Sequence, residues 1–278
     1  MASIKLFRGE FGHVSLLSAA SNLVTHAHPE AHIVIWLDGQ AGEITVSGQS
    51  VTPGPLCAVG VNSFEPHSHS FSDTDEPGLF LAFYIDPQWA GRRFGLKAGS
   101  KIFPRPTFSL DEWLRNCVIR AFERLEANDC DDAVAAYEVS RLVDRLVGAA
   151  RPSVHDKTRS RTLSVTDFRV RRAIELMQAN LSGRVNFDEL ARSVGLSRPH
   201  FFALFKEHTR LTPNVYWNTL RMEAALKAVK SSPDSLTEVA CELGFTTQGN
   251  FTRFFRDHAG VSPTLYREAA RPDVFQTH

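Results

Sequence analysis

The sequence predicts a mixed fold in two domains. The first is an antiparallel β-barrel or jelly roll with two flanking helices, and the second is an all-α domain of two helix-turn-helix modules joined by a long helix. Three observations carry this reading. Residues 185–267 state nearly the same pattern twice. Residues 4–86 run in short apolar or alternating stretches broken by Gly, Pro, Asn and Asp. Charge also divides the chain, with 12 Lys and Arg against 18 Asp and Glu in residues 1–150, net −6, and 19 against 13 in residues 151–278, net +6. At 278 residues, 43% hydrophobic and 22% charged, the chain is large enough for two cores. The boundaries are expected at 1–148 and 166–278, with a tether over 149–165.

In the first domain, strand-like stretches cover 14–17, 31–37, 42–46, 56–61 and 79–85, with turns at DGQAG (38–42), SGQS (47–50) and TPGP (52–55). Evenly spaced short strands of this kind close into barrels or jelly rolls, which can enclose one small ligand. A constellation of five of the domain's histidines stands out: His26, His28, His32, His67 and His69. Residues two apart on a strand share a face, which pairs His26 with His28 and His67 with His69. His26, His28, His32, Trp36 and His67 are expected to line an effector pocket, with Phe83 and Tyr84 nearby in the pattern. No metal ion, cofactor or catalytic group is assigned to them.

Residues 109–148 change to helical periodicity. Ser109 with Glu112 has the spacing of a capping box, followed by Trp113, Leu114, Cys117, Val118, Ala121, Phe122 and Leu125 at three-and-four intervals. NDCDD (128–132) interrupts, and a second helix follows through Val134, Tyr137, Leu142, Val143 and Leu146. Such a pair can cover an open face of the barrel or join two subunits. Residues 149–165 are polar, rich in Ser, Thr and Arg, and without apolar period, as a tether requires. A helix over 167–181 then turns Val170, Ile174, Leu176 and Met177 inward.

The repeat is register-true. Leu190/Val239, Ala191/Ala240, Gly195/Gly244 and Ser197/Thr246 lie 49 positions apart. After one inserted residue, Phe201/Phe251, Phe205/Phe255, Lys206/Arg256, His208/His258, Pro213/Pro263 and Tyr216/Tyr266 lie 50 apart. In each copy a short helix ends at a Gly suited to a left-handed cap; in the first, Ser197 can cap a second helix, and the second copy repeats the plan. Helix, short Gly turn, helix is the DNA-binding helix-turn-helix. Between the copies, 214–230 reads as one helix opened by Pro213, about 25 Å long at 1.5 Å per residue.

These stretches, AxxxGxS with FxxxFKEHTRLTPNVYW in the first copy and LTEVACELGFTTQGNFTRFFRDHAGVSPTLYR in the second, resemble the AraC/XylS transcriptional regulators. The resemblance covers 168–267 and implies promoter DNA as partner, a small-molecule effector bound in the N-terminal barrel, a homodimer formed through the helical pair, and contact with RNA polymerase. HxHxxxH followed by HxH in turn resembles the two motifs of the cupin barrel, in which imidazoles and one carboxylate hold a metal. Here His32 stands where the glutamate is usual.

On the faces opposite the apolar positions, Arg198, Phe202 and Ala203 in the first copy and Thr247, Gln248, Asn250, Thr252 and Arg253 in the second are expected to meet base edges. Arg suits guanine, and Gln or Asn suits adenine. Lys206, Arg210, Arg256 and Arg267 are expected at phosphates. An alternative of another class is a metal-dependent cupin enzyme fused to a DNA-binding domain, but no nucleophile motif, phosphate loop or paired carboxylates stand out. An alkyl-accepting repair protein would need clustered cysteines, whereas Cys57, Cys117, Cys130 and Cys241 are scattered. No apolar run approaches a membrane span and no export signal opens the chain, so a cytoplasmic regulator is expected.

Overall fold

A computed structural model describes residues 3–72, 76–96, 100–127, 132–151, 167–183, 185–232 and 234–270. The chain divides into two compact units, 1–163 and 164–278. Most of the expected tether, 152–165, lies outside the described residues, as do Cys130 and most of NDCDD.

The first unit is two antiparallel sheets face to face. One has six strands in the order β1 (Ser3–Gly9), β2 (Gly12–Ala19), β9 (Gly78–Ile85), β4 (Ala31–Gly39), β7 (Cys57–Val61) and β10 (Thr107–Ser109). The other has four, β3 (Leu23–His26), β8 (His67–Ser70), β5 (Glu43–Val46) and β6 (Gln49–Val51). All five stretches expected as strands contain one, namely β2, β4, β5, β7 and β9. The remaining strands are shorter or, in β1, close to the terminus.

Period-two alternation sorts the large sheet. Ala31, Ile33 and Ile35 of β4, with Leu81, Phe83 and Ile85 of β9 and Val14 and Leu16 of β2, form one buried cluster with the helices. His32 and Val34 point the other way, where Val34, Val59 and Val61 pack on Ile44 and Val46 of the small sheet. The outer face is covered by α2 (Glu112–Ala127) and α3 (Asp132–Ala150), which bury Leu114, Val118, Leu142, Val143, Leu146 and Val147 there. A further helix, α1 (Pro87–Phe94), is capped by Asp86 accepting from the Trp89 amide at 2.7 Å.

Two local expectations are corrected here. Ser109 belongs to β10, and α2 is capped instead by Asp111, whose Oδ1 accepts from the Leu114 amide at 2.6 Å. The aspartate lies closer to the helix start and competes better for its free N–H groups. The second helix of the pair also runs on through Ala150, so the tether cannot begin at 149.

The second unit is helical. It comprises α4 (Phe168–Ala179), α5 (Phe187–Ser193), α6 (Arg198–Thr209), α7 (Pro213–Ser231), α8 (Leu236–Glu242), α9 (Gln248–Ala259) and α10 (Pro263–Ala270). It has two cores, and α7 belongs to both. Trp217 joins Val170, Met177, Leu190, Ala191, Phe201 and Phe205, whereas Met222, Ala225 and Val229 join Val239, Ala240, Phe251 and Phe255. At 19 residues α7 spans about 28 Å. A rod held by a core at each end fixes the spacing of the modules it carries.

Candidate nucleic-acid interface and histidine cluster

Each module is built on the same turn. Gly195 has φ 71° and Gly244 φ 70°, the left-handed region that only Gly enters without penalty. In the first module the Leu196 amide donates to Ala191 O at 2.9 Å and the Gly195 amide to Arg192 O at 3.0 Å. In the second the Phe245 amide donates to Ala240 O and the Gly244 amide to Cys241 O, both at 2.9 Å. These crossed pairs form a Schellman motif, which satisfies the last carbonyls of one helix and aims the chain into the next. The duplication seen in the sequence is therefore a duplication of hydrogen bonds.

The second helices of the modules, α6 and α9, turn Phe201 and Phe205, and Phe251 and Phe255, fully inward. Their outer faces differ. On α9, Gln248, Asn250 and Arg253 are exposed and Thr252 is half-buried. Thr247 caps the helix, accepting from the Asn250 amide at 3.1 Å. Gln248 Oε1 accepts from the Thr237 hydroxyl at 2.9 Å. On α6, Ser197 occupies the cap position without a side-chain hydrogen bond. Arg198 reaches Asp188 at 3.2 Å and lies over the Phe202 ring at 5.3 Å. Phe202 is half-buried, edge-on to Phe187 at 5.8 Å and to Phe201 at 5.9 Å, so much of its ring belongs to the core. Ala203 is exposed.

His200, absent from the sequence expectation, is exposed on the same face. The repeat itself could have found it, since a 50-residue offset puts His200 opposite Asn250, just as Arg198 meets Gln248 and Ala203 meets Arg253.

Of the expected phosphate contacts, Lys206, Arg210 and Arg256 are exposed. Arg267 is not placed that way. Its Nε donates to Val229 O at 3.1 Å and its Nη1 to Asp234 O at 2.8 Å, so it ties α10 to the end of α7. A second inward arginine, Arg221 of α7, lies 4.0 Å over Phe245 and 5.3 Å over Phe254 and donates to Leu243 O at 3.1 Å. Burial lowers its pKa below the usual arginine value. It clamps the turn and α9 of the second module to the rod.

In the first unit, the inner faces of the two sheets bring four imidazoles together. Ring centroids are 4.2 Å apart for His26 and His67, 4.7 Å for His28 and His32 and for His32 and His67, and 5.1 Å for His28 and His67. Register explains the meeting: His26 pairs with His67 across β3 and β8, and His32 pairs with Tyr84 across β4 and β9. Tyr84 stacks on His13 at 4.4 Å and on His32 at 5.2 Å. Burial, then the neighbouring histidines, hold His32 and His67 well below the ordinary imidazole pKa, so both are neutral at physiological pH.

Two expected members stand apart. His69 shares a strand face with His67, but it packs on Phe71 and Phe80 and donates Nε2–H to Ala41 O at 2.9 Å. Trp36 shares a face with His32 but lies four residues along β4, about 13 Å away at strand rise. Its indole N–H donates to Gly39 O at 3.0 Å. His13 enters the cluster without having been expected, because only the pairing of β2 with β9 sets it beside Tyr84.

Comparison with known proteins bears on the whole chain. Residues 190–269 match the model of a helix-turn-helix domain. The probable transcriptional regulator LumQ of Photobacterium leiognathi is 24% identical over 242 residues, 87% of this chain and 91% of LumQ. The transcriptional activator RhaS of Escherichia fergusonii is 24% identical over 253 residues, covering 87% and 86% of the two chains. Among solved structures, apo ToxT from Vibrio cholerae aligns over 98% of this chain and 97% of its own with a TM-score of 0.50 at 10% identity, a likeness of fold alone. With the duplicated modules built turn for turn and regulators aligned along both units, the chain carries a helix-turn-helix domain and is similar over most of its length to DNA-binding transcription regulators of the AraC type.

Proposed function

We propose that α6 and α9 enter successive major grooves of a promoter and that a small molecule bound in the histidine-lined interior of the first unit sets how that happens. The observation that carries the DNA half is the doubled Schellman turn on one rod. Two recognition helices fixed to a helix about 28 Å long suit sites about one DNA turn, roughly 34 Å, apart.

The two helices would do different work. Arg253 can hold guanine through O6 and N7, and Asn250 can pair with adenine, each good bidentate pair contributing about 1 to 3 kcal/mol of discrimination. Gln248, whose oxygen already accepts from Thr237, is held by that bond at the start of α9 and can still pair with adenine. On α6 the corresponding positions are Arg198, His200 and Ala203, so the first helix has one strong base reader, and Ala203 offers only contact with a thymine methyl. Lys206, Arg210 and Arg256 orient the domain on phosphates.

Effector control follows the same economy. A ligand moves an equilibrium only by binding one arrangement better than another. The outward side of α2 and α3, where Trp113 is 50% and Tyr137 65% exposed, is the face we assign to pairing with a second copy. RNA polymerase is the remaining expected partner of a bound regulator, with no residue assigned to it. The test is affinity selection of random genomic fragments with the full chain and with Arg253→Ala at near-physiological salt. A shared pair of half-sites about one turn apart, with one base position relaxed in the variant, is the expected result. Uniform weakening of every sequence would remove Arg253 from the base readers.

A further inference from the structure

We propose that the imidazole cluster between the two sheets is a binding site for a divalent transition cation, with His26, His28 and His67 as ligands, and that this cation governs DNA binding. The second half rests on the effector reading above; the first does not.

The geometry of the rings is the starting point. A backbone carbonyl can only accept, so the 2.7 Å contact of His26 Nδ1 with Val24 O and the 2.9 Å contact of His67 Nδ1 with Glu65 O require both rings to donate Nδ1–H. Each ring is thereby locked as the tautomer whose lone pair is on Nε2. Anchoring of a ligand imidazole through its other nitrogen is the usual outer support of a metal site. One nitrogen from each of His26, His28 and His67 falls within a group whose members all lie within 4.8 Å of one another.

The cluster also lacks hydrogen-bond partners where it most needs them. Both ring nitrogens of His28, and Nδ1 of His32, are buried without one. His32 is only 3% exposed. Each such group stranded away from water costs about 1 to 3 kcal/mol. The nearest carboxylate oxygen, Glu30 Oε2, stands 3.6 Å from His28 Nδ1. An ion coordinated by Nε2 of His26 and His67 and by one nitrogen of His28 gives one of those stranded atoms a partner. Three imidazoles leave a coordination position for water, and His32, 4.7 Å from both His28 and His67 by ring centroid, is placed to hydrogen-bond it.

The donor set selects the ion. Neutral nitrogen ligands suit zinc, cobalt, nickel or copper, whereas calcium and magnesium take oxygen. The sequence assigned these histidines to an effector pocket without a metal; it could not show which nitrogens the backbone had already fixed.

The experiment uses the full chain stripped with a chelator and titrated with Co²⁺, then Zn²⁺ in competition with a chromophoric chelator. One equivalent of Co²⁺ per chain with visible bands of a four- or five-coordinate nitrogen site, displaced by Zn²⁺, is expected. His28→Ala is the informative variant, because the polar partner of the ring is a distant one, Glu30 Oε2 at 3.6 Å. It should weaken the metal at least tenfold without lowering the melting temperature of the metal-free chain. Binding that is sub-stoichiometric, or indifferent to His28→Ala, overturns the site. DNA affinity of the metal-free and zinc-loaded chains is then compared on a selected fragment. A change of several-fold, absent in His28→Ala, is expected. Tight stoichiometric binding with no change in DNA affinity overturns the regulatory half alone and leaves a structural metal. An organic ligand that shifts DNA affinity in a chain that takes up no cation would sustain the effector reading and end the metal proposal.

Discussion

Gly195 and Gly244 occupy the same place in the two modules with the same backbone, yet replacing each by alanine should have very different consequences. Both sit near φ +70°, so either substitution incurs the left-handed penalty of about 1 to 2 kcal/mol, reduced by about 0.4 to 1 kcal/mol because alanine stiffens the unfolded chain. At Gly195 an added methyl meets nothing within 4 Å, so the net loss should be about 1 kcal/mol. At Gly244 the methyl would lie 1.5 Å from Ser182 O, an overlap that only a shift of backbone can relieve. Overpacking of that kind adds about 1 to 3 kcal/mol or more, for a total of at least about 3 kcal/mol. Ser182 belongs to the connection between α4 and α5, so the contact joins the turn of the second module to the frame of the first. Urea-dependent hydrogen exchange of the full chain, read on peptides from α8 and α9, isolates this unit from the other. Equal losses in the two variants, or a larger loss at Gly195, would refute the argument that the close approach and not the turn conformation sets the difference. Gly244→Ala should also weaken DNA binding more than its destabilisation alone accounts for, since α9 must shift relative to α6.

Three further outcomes are expected. Arg256→Ala should weaken binding to all sequences about equally and lower the salt dependence by about one counterion, in contrast to the base-selective loss in Arg253→Ala, as titrations at several salt concentrations would reveal. Asn62 is a buried hub whose Oδ1 accepts from the Ile102 and Phe103 amides, both at 2.8 Å, and whose Nδ2 donates to Phe103 O at 3.0 Å and to Glu65 at 2.7 Å. Asn62→Leu strands two buried amides at about 1 to 3 kcal/mol each, and an unchanged thermal midpoint of the first unit would contradict that. Burial alone would raise the pKa of Glu65, but Asn62 and then Lys101 bring it below its ordinary 4.5. The unfolded chain then binds more protons as pH falls, so this contribution to stability is full above about pH 4.5 and is lost on acidification below it. Urea midpoints from pH 6 downward should fall less steeply in Glu65→Gln than in the native chain.

The sequence by itself determined the class of the protein. The second copy of the module, with Gly244, Phe251, Phe255 and Pro263 at fixed spacing, specifies its own turn, core and helix starts, because each is a local decision of capping, left-handed backbone or helical period. The repeat did the same for the first copy, and the alternation of β4 and β9 was legible for the same reason. Local pattern failed where a choice was made across space. Ser109 had the spacing of a cap, but β7 took it into a strand. Arg267 was polar and on a helix like Arg256, yet only the return of α10 to α7 gave it the carbonyls of Val229 and Asp234. Five histidines marked a site, but the sequence could not choose among them. Tertiary structure kept four, set His69 against two phenylalanines, left Trp36 farther along its strand, and brought in His13. That choice lies in register, and register is fixed by which strands pair, a property that no residue carries alone.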